Sequence, residues 1–579
     1  MKEVMKIIYK KIRIPVIITF VFVGLNIYFL TFPSKILGNI IDLLSNVELN
    51  KKLIMHNIFL LISISVLIFI IRIPWKVLIS YITRNIEKIL QDKLFEHFIQ
   101  IELDSIQNIK NGELMSYFVK DIAELRGFSY RLLSHASRVF LVSIIATYTM
   151  IKVNVKLTIV SLCPIVITIF ITLLLKERVE RKFKKSQKYF TYLSEYVQES
   201  TDAIRTTKAY SGEFSQFKKF VKKNKILKKS NISVEFYSTL LTISVELCFG
   251  ICYGITILFG SKLVLENQIT IGQFVAFNGY IELFFSPISW IPGLISKLKR
   301  AQISYRRLDK VFKLEKEKLL PEKIVSQDNL KGNISINNLT FNYPEYMDKV
   351  LDGITININE GETLGIIGTI GSGKTTLMNL LLRLYKVPNE KIFIDGKDIN
   401  EIDLSKLREN ICYITQDNFL FSTTIKENVS LFNNKLSDED VEKSTDSSML
   451  REDINQMEKG IYTIIGERGI DLSGGQKQRV ALSRAFINKS NIVIFDDTFS
   501  ALDNKTEKKL LENIRDIFCK KTCIIISNRI SDVKNADKII VLDSGKIIEC
   551  GKHEQLLKNN GLYKKFYDQQ TSNNIDLFN

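Results

Sequence analysis

Six long apolar runs fill most of the first 300 residues, and no other feature restricts the fold so strongly. They cover residues 12–36, 54–79, 139–151, 157–175, 240–259 and 274–295. A hydrocarbon layer about 30 Å thick is spanned by about 20 apolar residues in a helix, because lipid offers no partner for free backbone N–H and C=O groups. The third run is short and is read as extending back through Leu132. One such run is compatible with a buried hairpin in a soluble protein; six in series are not. The first run is followed by further spans, so it is a retained anchor rather than a cleaved leader.

Lysine and arginine orient these spans. Lys2, Lys6, Lys10, Lys11 and Arg13 precede the first, and a dense basic stretch from Lys176 to Lys229 separates the fourth from the fifth. The opposite loops are short and poor in charge, with Lys152 and Lys156 in one and Lys262 in another. The positive-inside rule puts the N-terminus and the long loops in the cytoplasm, in a multi-pass protein of the cell membrane. The stretches before spans three and five are about 60 residues each and read as charged helices, so the helices continue past the bilayer. The same loops account for the net charge of +18 without any nucleic-acid partner. Seven cysteines show no metal-binding spacing and are read as free thiols in or facing a reducing compartment.

Of the 579 residues, 1–310 are expected to form the transmembrane domain, with six helices and two long cytoplasmic loops. Residues 311–330 form a linker rich in Lys and Glu and ending near Pro321, and 331–579 form a soluble domain. In the last part, strand-like alternation ("NISINNLTFNYP", "ITININEGETLGIIG") gives way to alternating strand and helix patterns, as in an α/β domain with a mostly parallel sheet.

The sharpest motif is "GTIGSGKT" at residues 368–375, between the strand-like "TLGIIG" and the helix-like "KTTLMNLLLRLY". It fits the phosphate-loop pattern G-x-x-x-x-G-K-[ST]. Gly368, Gly371 and Gly373 let backbone N–H groups turn in around phosphate oxygens. Lys374 neutralises their charge, and Thr375 offers a hydroxyl to Mg²⁺. Downstream, "IVIFDD" at residues 492–497 is an apolar strand ending in acid, which suits Asp496 to the Mg²⁺ side of the loop. Between them, "LSGGQKQR" at residues 472–479 opens a helix whose free N–H groups favour an anion, although Ser473 is also an ordinary helix cap.

"LSGGQ" between a phosphate loop and "FDD" resembles the signature of ABC transporter ATPases, and six spans, linker and ATPase resemble an exporter-type half-transporter over essentially the whole chain. The resemblance implies an α-helical six-span domain followed by a P-loop ATPase that binds ATP and Mg²⁺. It implies nucleotide contacts from Thr369, Ile370, Ser372 and Thr376 as well as the glycines, Lys374 and Thr375. It also implies a second half-transporter whose phosphate loop faces Ser473, Gly474, Gly475 and Gln476. Tyr343 resembles the aromatic that stacks on adenine, and Gln416 the glutamine that senses Mg²⁺ and water. "SALD" (500–503) resembles the loop that crosses the dimer interface. "GERG" (466–469) resembles the element by which exporters touch the membrane helices. "NGELMSYFVKD" and "AIRTTKAYSGE" resemble the regions that hold the coupling helices.

Two residues depart from the pattern. The family's general base is Glu directly after the strand-end Asp; here it is Asp497. The family's later Ser-His-Arg reads "SNR", with Asn528 for His. Asp is one methylene shorter than Glu, and a misplacement of about 1 Å can cost about 100-fold. Asn can hydrogen-bond but cannot become a cation. Both changes fall on one composite site while the signature is intact, which resembles the degenerate-site subunit of a heterodimeric exporter; neutral drift at two tolerant positions is the alternative. The implied activity is ATP-driven export of an amphipathic small molecule, a peptide or a lipid. An importer of the same six-span plan and an ATP-gated regulator stay open. Glu246 and Glu282, inside spans five and six, suit a cationic cargo or an interhelical contact, with Asn278, Tyr280 and Tyr253 either lining the same space or simply packing.

Overall fold

A computed structural model describes residues 1–45, 50–107, 109, 111–317, 330–343, 348–466 and 472–575. The chain divides into two units, Met1–Ile99 with Ile109–Leu314, and Gln100–Asn108 with Glu315–Asn579.

The first unit is helical throughout. Its long elements are Lys2–Leu30 continued by Phe32–Ser45, then Lys51–Phe98, then a chain of helices from Asn111 to Val153, then Val155–Asp202, Glu213–Leu265 and Ile271–Val311. The spans do extend beyond their apolar runs, and they keep helical geometry through the charged stretches. The third is far longer than its apolar count: it runs back past Leu132, through widened π-helical turns at Leu132–Ala136 and Tyr117–Asp121. Pro15, Pro74 and Pro164 sit inside helices, as membrane helices tolerate. Asn50 and Asn154 cap the second and fourth long helices, accepting from the N–H of Leu53 and Leu157, and Thr270 with Gln273 forms a reciprocal capping box at the sixth.

Small and polar residues set the helix packing. A Cβ on Gly38 would lie 2.4 Å from the Gly272 carbonyl oxygen, so Phe32–Ser45 and Ile271–Val311 approach closely only because both positions are glycine. Thr256 Oγ1 donates to Ser161 Oγ at 2.9 Å between two further helices. Glu246 and Glu282 lie on the exposed surface of this unit. Tyr280 is buried and packs, and Asn278 turns its amide onto the Phe274 carbonyl at 3.0 Å.

Among the described residues the second unit holds ten strands. β1 (Ile334–Phe341), β2 (Leu351–Ile358), β4 (Ile392–Ile394) and β5 (Lys397–Asp398) form an antiparallel sheet in the order β2-β1-β4-β5. β3 (Thr363–Gly368), β6 (Ile411–Ile414), β7 (Ile492–Asp496), β8 (Thr522–Ile526), β9 (Lys538–Asp543) and β10 (Lys546–Gly551) form a second sheet in the order β10-β9-β3-β8-β7-β6. All its pairings are parallel except β10 with β9. β7 and β8 are buried along their whole length, which accounts for their continuous apolar sequence.

Gln100–Asn108 joins this second unit although it lies within the 1–310 stretch assigned by sequence to the membrane domain. Its backbone exchanges hydrogen bonds with residues 315–317: Glu102 N–H donates to the Glu315 carbonyl (3.2 Å), and Glu317 N–H to that of Gln100 (2.8 Å). Leu103 packs on the hydrophobic core of the second unit, and Lys386 bridges Glu102 and Glu315 at 3.1 Å each. By contrast "NGELMSYFVKD" packs inside the helical unit, where Arg307 binds Glu113 and Asp121. In the other such stretch, Ile204–Ala209 is a short helix followed by the exposed Tyr210. Pro321, and residues 467–469 of "GERG", lie outside the described residues.

Candidate functional site

Four parallel strands end at one place. β3 ends at Gly368 and feeds the loop that opens the Lys374–Leu381 helix; β7 ends at Asp496; β8 is followed by Ser527 and Asn528; β6 is followed by Gln416. Ligands in open α/β sheets bind beyond the carboxyl ends of the strands. Here these ends line a cavity of about 270 Å³ that includes Ile370, Gly371, Ser372, Gly373, Lys374, Thr375, Thr376, Gln416, Asp496, Asp497 and Asn528. Residues from four separate stretches of sequence are thus brought together.

The loop's glycines are required by geometry. Gly371 and Gly373 have φ of +82° and +97°. A Cβ on Gly373 would lie 2.7 Å from a Leu351 methyl, and one on Gly368 would lie 2.1 Å from the Leu542 carbonyl oxygen. Lys374 folds back over the loop, its Nζ donating to the carbonyls of Gly368 (2.8 Å) and Thr369 (2.9 Å). Burial lowers its pKa, and the nearby charges of Asp496 and Asp497 oppose that shift. Thr369 itself is tied to Asp543 at 2.9 Å, Ile370 is 95% exposed at the tip, and the buried Ser372 Oγ has no partner among the described residues.

Asp496 is buried and accepts from Thr375 Oγ1 (3.0 Å) and Tyr413 OH (2.9 Å). Burial raises its pKa, while those two hydrogen bonds and the charge of Lys374 favour the carboxylate. Tyr413, which sequence reasoning missed, is held protonated by burial and by the Asp496 charge. Its signal in the sequence was a lone Tyr in an otherwise apolar strand. Asp497 adopts φ +47°, rare for a non-glycine residue and common at functional sites. Its N–H donates to the Ile526 carbonyl (2.9 Å), and its carboxylate accepts from Gln416 Nε2 at 3.3 Å. Asn528 is exposed at the rim. Its backbone is clamped by Gln570, whose Nε2 donates to the Asn528 carbonyl at 2.8 Å while its Oε1 accepts from Ile530 N–H at 2.9 Å.

Tyr343 does not line the cavity. Its ring meets Phe341 and Tyr385 edge to face, and its hydroxyl lies 3.0 Å from Thr376 Oγ1. The signature residues are also outside the cavity. Ser473 and Gln476 form a reciprocal capping box at the start of the Gly474–Ile487 helix, and Gln476 Nε2 donates to Asp453 at 2.8 Å. Gln478 binds Ser500 and Ala501, which seats this helix start against the "SALD" turn.

The donor set suits a polyphosphate and a divalent cation. Inward-turning glycine backbone, one ammonium and an unpartnered serine hydroxyl match phosphate oxygens. The Thr375 hydroxyl beside the Asp496 carboxylate offers the oxygen ligands that Mg²⁺ requires.

The chain is also similar to known proteins. A family model described as the ABC transporter transmembrane region matches residues 16–288, and one described as ABC transporter matches residues 351–500. The probable multidrug resistance ABC transporter ATP-binding/permease protein YheI of Bacillus subtilis (strain 168) is 31% identical over 542 residues, 93% of this chain and 92% of its own length. The leukotoxin translocation ATP-binding protein LktB of Mannheimia haemolytica is 33% identical over 496 residues, 85% of this chain and 69% of its own. A solved structure of a bacterial Atm1-family ABC exporter with ATP bound has the same fold, with a TM-score of 0.82 over 97% of this chain and 98% of that one, at 21% identity. The chain therefore belongs to the ABC transporter family, as a membrane protein that carries its transmembrane region and its ATPase domain on one polypeptide.

Proposed function

We propose that this chain is one half of a heterodimeric exporter, and that its own cavity binds ATP with Mg²⁺ but turns it over poorly. The observation that supports this is the presence of Asp497 and Asn528 in the same cavity as Lys374 and Thr375. The backbone of residues 371–375 would hold the phosphates, and Lys374 would exchange its two carbonyl acceptors for phosphate oxygens. Thr375 and Asp496 would hold Mg²⁺, which neutralises charge on the terminal phosphates. Gln416 would orient the attacking water beside Asp497. Asp497 is the available base, and its carboxylate stands one methylene further back than a glutamate would reach. Asn528 would donate a hydrogen bond to the terminal phosphate without the charge that an imidazolium adds.

The exposed start of the Gly474–Ile487 helix would complete the partner's site. Closure of the two ATPase domains on ATP then drives the spans between inward- and outward-open states. The cargo is an amphipathic compound, a peptide or a lipid; the names of the similar multidrug and leukotoxin proteins suit that range without choosing within it.

The test is ATP turnover by the purified chain alone and with a six-span partner that carries Glu and His at the equivalent places. The chain alone should be a poor ATPase, and the pair should be active. Vigorous hydrolysis by a homodimer of this chain, abolished by Asp497→Asn, would overturn the heterodimer reading.

A further inference from the structure

The helical unit contains an uncompensated cationic cluster. Arg138 lies at the start of the third apolar run, half-buried, with its guanidinium 5.6 Å from the centre of the Trp290 ring. His135, one turn earlier, meets the same ring at 4.4 Å. The charged neighbour that acts on Arg138 is another cation, Arg72 of the Lys51–Phe98 helix. Three other part-buried basic groups of this unit are paired: Arg126 with Glu87, Lys297 with Glu124, and Arg307 with Glu113 and Asp121. Among the described residues Arg138 and Arg72 have no carboxylate within ion-pair distance. Among the described residues the Arg138 Nε is a buried donor without a partner, and so is Nε1 of Trp75, one turn on from Arg72.

Unpaired guanidinium charge inside a membrane is costly, and buried donors without acceptors add to the cost. The arrangement becomes favourable when an anion supplies the acceptors. A guanidinium fork matches a carboxylate or phosphate, and indole faces suit an apolar or aromatic body. Arg72 and Trp290 lie 7 and 5 residues from the ends of runs 54–79 and 274–295, and Arg138 borders run 139–151. In the positive-inside orientation all three are near the cytoplasmic ends of their spans, where a cargo bound for export arrives. Glu282 is 8 residues from Trp290 along the same helix, a separation of roughly 12 Å, so it does not neutralise the cluster.

We propose that Arg138 and Arg72, with the Trp290 ring, bind the anionic end of an amphiphilic cargo, a carboxylate or phosphate carried on an apolar body. This rests on the exporter reading only in calling the ligand cargo; binding itself is measured without transport. It also reverses the cationic preference that Glu246 and Glu282 suggest from sequence.

The chain has two tryptophans, Trp290 in the cluster and Trp75 one helical turn from Arg72, so intrinsic fluorescence can be followed at the site. The full chain in phosphatidylcholine nanodiscs would be titrated with pyrenebutyrate and with pyrenebutyltrimethylammonium, which share an aromatic body and differ in charge, and energy transfer from tryptophan to pyrene followed. The anion should half-saturate the transfer at least about tenfold lower than the cation. Arg138→Gln should raise the anion's midpoint about tenfold and leave the cation's unchanged, with Arg138→Lys between. Comparing variants removes membrane partitioning, which is common to all forms. Labelling by a photoreactive ATP analogue checks that each variant is folded, and Arg72→Gln, at an exposed position, replaces any Arg138 variant that is not. Adding phosphatidylglycerol separates the sources of the anion: competition assigns the cluster to a lipid headgroup, and its absence to a free amphiphile. Equal midpoints for the two probes, or variants that shift both probes alike, would overturn the proposal. That failure would leave ATP-driven export standing, since export is tested by the turnover of the paired subunits.

Discussion

The phosphate-loop end and the signature end of the ATPase unit need glycine for opposite reasons. At Gly368 and Gly373 a Cβ would collide with this chain's own atoms, at 2.1 Å and 2.7 Å. At Gly474 a Cβ would meet only the Ala501 methyl at 3.6 Å, an ordinary contact on an exposed helix start. The first pair is demanded by the fold of this domain. Nothing in the described fold demands the second, which suits the proposed role of this helix start in completing a partner's site. The electrostatics divide the same way. The cavity concentrates buried charge on Lys374 and Asp496, whereas Ser473 and Gln476 satisfy each other and present a neutral, finished surface.

That contrast can be broken experimentally, and Gly474→Asp has the largest expected effect. The variant should fold and keep nucleotide labelling at its own cavity. ATPase activity of the assembled pair should fall by about 100-fold or more, because a carboxylate would stand against the partner's terminal phosphate. Loss of labelling at this chain's own cavity instead would place the signature's role within the chain.

Lys374→Ala should come next. It removes the ammonium that burial already primes toward an acceptor, and should weaken photoreactive ATP labelling at limiting nucleotide by about tenfold. Unchanged labelling would remove Lys374 from the site. Asp497→Asn should matter less, reducing turnover of the pair by no more than about threefold if little flux runs through this cavity. A loss as large as that from Gly474→Asp would make Asp497 a working base and erase the asymmetry.

The smallest effect concerns the support of the Asn528 segment. Ser527 Oγ donates to Asp532, and Arg529 joins Glu507 at 2.9 Å. Burial, with the Glu507 charge beside it, raises the Asp532 pKa from 3.8 to about 7. A carboxyl with a raised folded-state pKa stabilises the fold fully below its unfolded value, and that contribution is lost as pH rises through the folded value. Asp532→Asn should therefore gain thermal stability over the wild-type chain by a few degrees, with a difference that grows from about pH 4 to about pH 7 and levels off above it. A pH-independent difference between the two would show that Asp532 does not titrate in this window.

Much of this protein is written in contiguous sequence. The helical transmembrane region is legible because a bilayer judges each helix by its own apolar length. The phosphate loop is legible because eight consecutive residues must carry both the turn and the charge. The capped helix at Ser473 needs only its neighbour three residues on. Each of these follows from local physics, so the sequence alone determined them, along with the α/β class of the second half. The tertiary structure decided what depends on distant partners. It carried Gln100–Asn108 out of the helical unit to pair with residues 315–317. It set Tyr413 on Asp496, and brought Gln416, Asp497 and Asn528 together from three strand ends. It also left Arg138 against Trp290 without a carboxylate among the described residues, which no motif announces. Whether a charge is paired or stranded depends on which helices pack beside it, and that is settled by long-range contacts rather than by neighbours in the chain.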